Sequence, residues 1–434
     1  MIGGIMKTTS RLALVAAAGM LLVGAAGKPA KAADLGGGCC GDLEERVAEL
    51  EATTARKGNR VVSLQVYGQI NKALMIWDDG VDSDAFVVDN DYSGSRIGFT
   101  GKATIKPGWT AGYLMELDIQ DSASDKVTNV NADGTRNKNG DEGNENEIAI
   151  RYNNVYIESE RLGRITLGQG STAADGVNEV VLGNSLRNSD IQMGNSFFLR
   201  TRGGGTFAVN GTTISLGNFA ANLDTGRDDL IRYDSPSVYG FILSASWGDN
   251  DYADVALRFK KEWNSIRIAA AAAYVFDGSQ DNGFEAPGKT SLQQDAFSSF
   301  TQWGGSVSVQ HIPTGIYAAF AAASRDYDDE DALGDRSDSM NYWYAQLGIE
   351  KKWLPYGSTT VYGEYARYDD MVVDGSEATR WGFGVVQKID SAALELYAQA
   401  TFWSFDGLDG ATGVVGAGDP EDLTTVMLGS RIKF

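Results

Sequence analysis

The sequence predicts an all-β protein: a single antiparallel barrel of about sixteen strands, closed on itself and crossing a membrane. Three features carry this expectation. The N-terminus is built like an export leader, the rest of the chain alternates apolar and polar residues over long segments, and the connections between those segments alternate short and long.

Lys7 and Arg11 precede an apolar run from Leu12 to Ala26, and Ala30-Lys31-Ala32 puts small residues at −3 and −1. This is the three-part pattern of a secretory signal peptide, expected to span 1–32 with cleavage after Ala32. About 15 apolar residues fall short of the roughly 20 a spanning helix needs. No later stretch approaches 18 uncharged apolar residues, so no helix is expected to cross a membrane. A mean hydropathy of −0.23 would normally indicate a soluble protein, but strands that alternate lipid-facing and water-facing residues give the same average.

Composition narrows the function. The formal charge is −21, and removing Lys7, Arg11, Lys28 and Lys31 with the leader leaves the remainder about four units more negative. Nucleic acid is not expected as a partner, because its binding needs a basic footprint. With 53 glycines and 7 prolines the chain suits tight turns and uninterrupted ladders. The only cysteines are the adjacent pair Cys39 and Cys40, and the only histidine is His311, at a turn before Pro313. Catalytic, metal and cofactor sites are therefore not expected. Cys39-Cys40 resembles a lipid-attachment site superficially, but Gly36 stands where a Leu is needed; a vicinal disulfide or idle thiols are the other readings.

Residues 33–60 are expected to form a periplasmic linker with a short helical segment. Leu43, Val47, Leu50 and Thr54 form a two-heptad seam among Glu44, Glu45, Arg46, Glu49 and Glu51. It reads either as a charged linker with nascent helix or as a small coiled coil above an oligomer. The barrel is expected over 61–434. In Trp109–Gln120, Ala111, Tyr113, Met115, Leu117 and Ile119 share one face, with Gly112, Glu116, Asp118 and Gln120 opposite. The same alternation runs through Asp254–Glu262, from Trp343 to Lys352 and from Leu394 to Phe402. Such segments exceed the usual 5–6 residues of soluble strands and suit a tilted crossing.

Short turns fall near Pro107-Gly108, Leu162-Gly163, Pro236, Asn264-Ser265, Pro313, Pro355-Tyr356-Gly357 and Asp390-Ser391. Longer acidic connections fall between them, including Asp78–Gly94, Asp121–Glu147 and Ser171–Asp229. Sixteen strands with both ends on the periplasmic side satisfy this pattern. Asn210-Gly211 is a strong hairpin signal, but its arms are too short to cross an apolar band of about 25 Å. It is placed inside the third loop, with eighteen strands as the alternative. Aromatics near strand ends (Trp109, Trp247, Trp303, Trp343, Trp381, Tyr274, Phe276) fit interfacial girdles. Lys72 interrupts the apolar face of the first strand and marks either a subunit contact or an inverted face.

Four segments and the terminal Phe434 together resemble general porins of Gram-negative outer membranes, in the alphaproteobacterial branch. They are Cys39-Cys40 with the helix following, Ser95-Arg96-Ile97-Gly98-Phe99-Thr100-Gly101, Gly163-Arg164-Ile165-Thr166-Leu167-Gly168-Gln169 and Leu230-Ile231-Arg232-Tyr233-Asp234-Ser235-Pro236. The resemblance implies a water-filled channel for passive diffusion of ions and small hydrophilic solutes. It also implies a homotrimer in contact with outer-membrane lipid and lipopolysaccharide, and a third loop (171–229) folded inward. On that loop, Asp175, Glu179 and Asp190 are the expected constriction carboxylates. On the wall opposite, Arg96, Arg151 and Arg232 match the family's basic ladder. Arg258, on the polar face of its strand, joins them as a lumen candidate. Gln169 occupies a position that is often Arg in relatives, which weakens the basic wall.

Rival readings are a substrate-specific channel, an outer-membrane enzyme, and a plugged adhesin or structural barrel. Tyr67, Tyr317 and Tyr344 are too scattered in sequence for an aromatic slide, and a lone histidine at a turn does not make a catalytic centre.

Overall fold

The computed structural model describes residues 61–130, 148–186, 197–209, 212–219, 222–249, 251–278, 299–327, 337, 339–408 and 419–434. The expected leader, Cys39-Cys40 and the linker helix lie outside the described residues. The strands are β1 (Gln65–Asp78), β2 (Ser83–Asp89), β3 (Arg96–Lys106), β4 (Trp109–Asp118), β5 (Ala149–Ser159), β6 (Gly163–Ser171), β7 (Ala208–Val209), β8 (Thr212–Thr213), β9 (Arg227–Asp234), β10 (Phe241–Gly248), β11 (Tyr252–Trp263), β12 (Ile266–Asp277), β13 (Phe300–His311), β14 (Ile316–Tyr327), β15 (Ser339–Leu354), β16 (Gly357–Asp369), β17 (Glu377–Ile389), β18 (Leu394–Asp406) and β19 (Leu423–Lys433). A four-residue helix, α1 (Leu216–Phe219), follows β8.

Neighbouring strands pair antiparallel in chain order, and β1 closes the sheet on β19 from Gln69↔Lys433 to Asp78↔Thr424. Beyond the last strand, Phe434 and Gly68 exchange backbone hydrogen bonds of 2.9 and 3.0 Å. Both β2 and β3 pair with β1, so they form one interrupted crossing, and the barrel has sixteen. β7 and β8 form a separate small sheet inside the third loop, where their length alone would put them. The second crossing departs from the expected loop over Asp78–Gly94. Ser83–Asp89 is strand, and only a short 3-10 turn, Asp91–Ser93, separates it from β3.

Alternation sorts the two faces. Leu167, Leu347, Trp303 and Trp381 are all more than half exposed on the outside, an arrangement costly in water and suited to lipid. The outer aromatics meet across strands: Trp381 stacks on Phe402 at 4.1 Å and Trp343 lies 5.1 Å from Tyr365. Lys72 does face outward, where its ammonium binds the carboxylates of Asp89, at 2.8 Å, and Asp121. A charge on this face is tolerable because two acids from the chain itself neutralise it. His311 ends β13 at an exposed turn, with its Nδ1 2.8 Å from the Thr314 hydroxyl.

On the inner face, tyrosines repeatedly lie across a glycine of the neighbouring strand. Tyr67 faces Gly98, Tyr156 faces Gly112, Tyr317 faces Gly348, Tyr362 faces Gly384 and Tyr397 faces Gly429. A Cβ at any of these glycines would collide with the ring. Directly opposed pairs are the unit of sheet packing, and here the ring covers backbone that would otherwise lie bare. Gly384→Val is expected to destabilise the barrel by about 1–3 kcal/mol through overpacking against Tyr362. A lowered thermal midpoint of the detergent-solubilised barrel would register this, and an unchanged midpoint would refute it.

Candidate functional site: the narrowed lumen

The third loop is seated inside the barrel because the wall there is made for it. Inner-face residues of β11, β12 and β14 are small: Ala256, Ala269, Ala271, Ala319, Ala321 and Ala323 are all buried. The space they leave is filled by loop residues Ala173 to Leu186. Wall side chains then satisfy the loop backbone, as a strand would. Asp254 accepts from the backbone N–H groups of Ala173 (3.2 Å) and Ala174 (2.6 Å). The Ser306 and Ser308 hydroxyls accept from Val180 (3.0 Å) and Leu182 (3.1 Å), and Glu350 accepts from Asn184 (3.1 Å). Gly183 fits only because it has no Cβ, which would meet the Tyr317 ring.

The returning half of the loop is held by apolar burial. Phe197, Phe207, Leu216, Phe219 and Leu223 are buried against Met75, Trp77, Tyr342, Tyr368 and Phe405 of the wall. Phe197 lies edge-on to Trp77 at 5.3 Å, and Phe219 lies 5.4 Å from Phe405. Each such side chain contributes roughly 1.5–3 kcal/mol relative to exposure in a wet lumen. This half therefore packs against the inner faces of β1, β15, β16 and β18.

A cavity of about 1150 Å³ remains between the loop and the opposite wall. Its loop side carries Asp175, Glu179 and Asp224. Burial pushes the Asp175 carboxyl above its ordinary range. Burial, with Glu179 and Asp175 nearby, pushes Asp224 well above it. Gly176 N–H donates to Asp224 at 2.8 Å, and the Asn222 amide donates to Glu179 at 3.2 Å, so the two arms of the loop hold each other.

The wall side carries cations from β3, β5, β17 and β19. Arg96, Arg151, Lys388, Arg431 and Lys433 border the cavity, with Arg267 of β12 further round. Two recessed acids order them. Glu116, almost fully buried, accepts from Arg151 Nε (2.9 Å) and Tyr67 Oη (2.8 Å) and lies 3.5 Å from Arg96. Glu395 binds Arg431 through two guanidinium nitrogens and lies 3.5 Å from Lys433. Planar guanidiniums pinned in this way keep a fixed direction.

Arg151 reaches the lumen through a register irregularity. Glu116 opposes Tyr152 and Leu117 opposes Ile150, leaving Arg151 as the extra residue. A bulge of this kind re-aims a side chain, which is why alternation around Arg151 is blurred in the sequence. Arg232 and Arg258 also point inward, but at the root of the loop. Arg232 chelates Asp234 and donates to the carbonyls of Ser171 (3.1 Å) and Thr172 (2.8 Å), while Arg258 donates to that of Asp175 (2.8 Å). Asp190 lies outside the described residues. Gln169 shares the outward face with Leu167 and pairs with Asn153 of β5. Sequence reasoning did not single out Arg267, Lys388, Arg431, Lys433 or Asp224. For Arg431 and Lys433 the signal existed, because both alternate with the lipid-facing Ile432 and Phe434.

A closed lipid-facing barrel, narrowed from within and still holding a charged aqueous cavity, defines an outer-membrane channel. Residues 13–408 match the family model described as Gram-negative porin, and the chain belongs to that family. It is an outer-membrane protein for passive diffusion. No curated protein matches it in sequence. Among solved structures, the fold is similar to OmpT, an outer-membrane protein of Vibrio cholerae (14% identity, 87% of this chain and 99% of that one, TM-score 0.53). It is also similar to an anion-selective porin from Comamonas acidovorans (16%, 86% and 100%, TM-score 0.53) and to the outer-membrane channel DcaP of Acinetobacter baumannii (13%, 87% and 99%, TM-score 0.51).

Two outcomes follow from this geometry. Asp254→Ala removes the acceptor of two loop N–H groups and is expected to free the loop's first turn, seen as noisier and larger single-channel currents. Lowering the pH is expected to move ion preference toward anions, because the loop carboxylates neutralise first. The window opens at the raised folded values of Asp175 and Asp224 and extends down to the free aspartate value of about 3.9. With folded pKa values raised, the folded state takes up protons before the unfolded chain does. The seated loop is therefore favoured as pH falls through that window and disfavoured above it. Reversal potentials measured across a pH series would check this, and a midpoint no higher than that of a free carboxylate would refute it.

Proposed function

We propose that the channel passes ions and small hydrophilic solutes through a waist whose two sides carry opposite charge. The observation that carries this reading is a cavity bordered by Asp175, Glu179 and Asp224 on the loop and, on the wall, by Arg96, Arg151 and Arg431, with Asp118 and Glu350 set among the wall cations. A solute crossing it keeps part of its water and meets a transverse field, so charge lining sorts what passes. Arg232 and Arg258 act as anchors that hold the loop root in place. In this reading no reaction is catalysed.

The assembled form in this reading is a homotrimer set in lipid and lipopolysaccharide, exported by a cleaved leader at 1–32 and carrying 33–60 as a periplasmic segment. Support comes from the outward face of β1–β6. There, Asn153 and Gln169, and Lys72 with Asp89 and Asp121, place polar groups among outward-facing apolar residues such as Val155, Leu167, Ile70 and Leu74. Such groups suit a neighbouring copy better than acyl chains.

The test is a planar bilayer recording under a salt gradient. Conductance in threefold steps is expected. A unit charge is worth about 1 kcal/mol to an ion 4 Å away even at the dielectric of bulk water. Reversing both Arg96 and Arg151 to Glu is therefore expected to swing the reversal potential toward cations. Folded barrels without current would instead favour the plugged reading, which the apolar half of the loop makes the specific alternative.

A further inference from the structure

The interruption of the second crossing supplies a second constriction element, separate from the third loop. Register makes the size of the excursion plain. Lys72 opposes Asp89 and Gln69 opposes Arg96, so two residues of β1 face six of the other strand, Asn90 to Ser95. An ordinary bulge inserts one residue; this one inserts enough to make a turn. The turn projects inward, since Asp91, Tyr92 and Ser93 border the same cavity as the loop carboxylates.

Side chains hold this turn firmly where the ladder is missing. Gln69 donates to the Ser93 carbonyl (2.7 Å) and the Gly94 carbonyl (2.9 Å), and Asn71 donates to the Ser93 carbonyl (3.0 Å). Asn90 caps the turn by accepting from Tyr92 N–H (3.1 Å) and anchors it by donating to Tyr397 Oη (3.0 Å). Ser95 donates to the buried Asp89 carboxylate at 2.6 Å. These bonds replace the strand's own, and they fix a rigid inward step.

From that step Tyr92 spans to the loop. Its hydroxyl donates to the Ser185 carbonyl at 3.3 Å, its ring touches the apolar cluster under the returning arm, and the Arg431 guanidinium lies 5.9 Å from the ring centroid. The ring thus closes the edge of the aqueous cavity on the side where loop and wall approach each other. We infer that Tyr92 sets the size limit of the waist, acting as a neutral gatepost opposite the charged loop. This rests on the diffusion-channel reading, and it assigns solute size to a wall residue while solute charge stays with the flanking groups.

The experiment compares wild type, Tyr92→Ala and Tyr92→Trp in planar bilayers and in liposome swelling with sugars of graded size. Tyr92→Ala is expected to raise unit conductance and admit larger sugars, and Tyr92→Trp to lower both. The reversal potential should stay at the wild-type value in each, because the ring carries no charge. Folded variants with wild-type conductance and sugar rates would overturn the inference. So would a shifted reversal potential in Tyr92→Ala, because that would mean the loop charges had moved. If Tyr92→Ala does not fold, Tyr92→Trp decides alone: reduced sugar entry supports the inference and unchanged entry overturns it. A wild-type barrel that passes no current refutes the channel reading instead.

Discussion

Every backbone amide that crosses hydrocarbon must find its partner within the chain, and the rest of this structure depends on that requirement. The pairing of β1 with β19 meets it by abolishing the sheet edge. Closure also forces a large interior. A sixteen-strand sheet cannot fill its own lumen with side chains, so the inside is either water or more protein. This chain uses both: the apolar half of the third loop fills part of the lumen against β1, β15, β16 and β18, and charged groups line the cavity that remains.

The two halves of the loop are held by different physics. Its first arm lies in a channel of alanines and is bonded through Asp254, Ser306, Ser308 and Glu350. The second is held by phenylalanines and leucines against wall aromatics. Hydrogen bonds fix direction and position, while apolar burial supplies most of the free energy. The charged cavity lies beside the first arm, where placement matters more than strength.

Much of the fold was legible because alternation and turn chemistry are local signals. All seven short turns fall where expected, and the hairpin at Asn210-Gly211 was placed in the loop by arm length alone. The interruption of the second crossing was not legible. Its stabilising partners, Gln69 and Asn71, lie on another strand and look like ordinary polar lumen residues. Arg151 illustrates the same limit, because a bulge is a relation between two strands and cannot be seen in one. The alanine-rich runs of β12 and β14 looked featureless until the loop backbone lay over them. Of the residues that border the cavity, Arg96, Asp175 and Glu179 were accessible from motif and position. Asp224 and Lys388 needed the third dimension, since nothing in their own neighbourhood distinguishes them from other surface charges.

Most of the wall's hydrogen bonds to the first arm go to its main chain. Main-chain groups are the same whatever the side chain, so at positions of the arm that face water the seat recognises the path of the loop, while Ala173, Val177 and Gly183 are fixed by their fit against the wall. Water-facing positions along that arm can therefore change their charge or bulk while the arm stays where it is. Such a barrel is a socket that accepts interchangeable filters: lineages facing different nutrients could retune what enters without redesigning the wall, and an engineer could do the same by grafting.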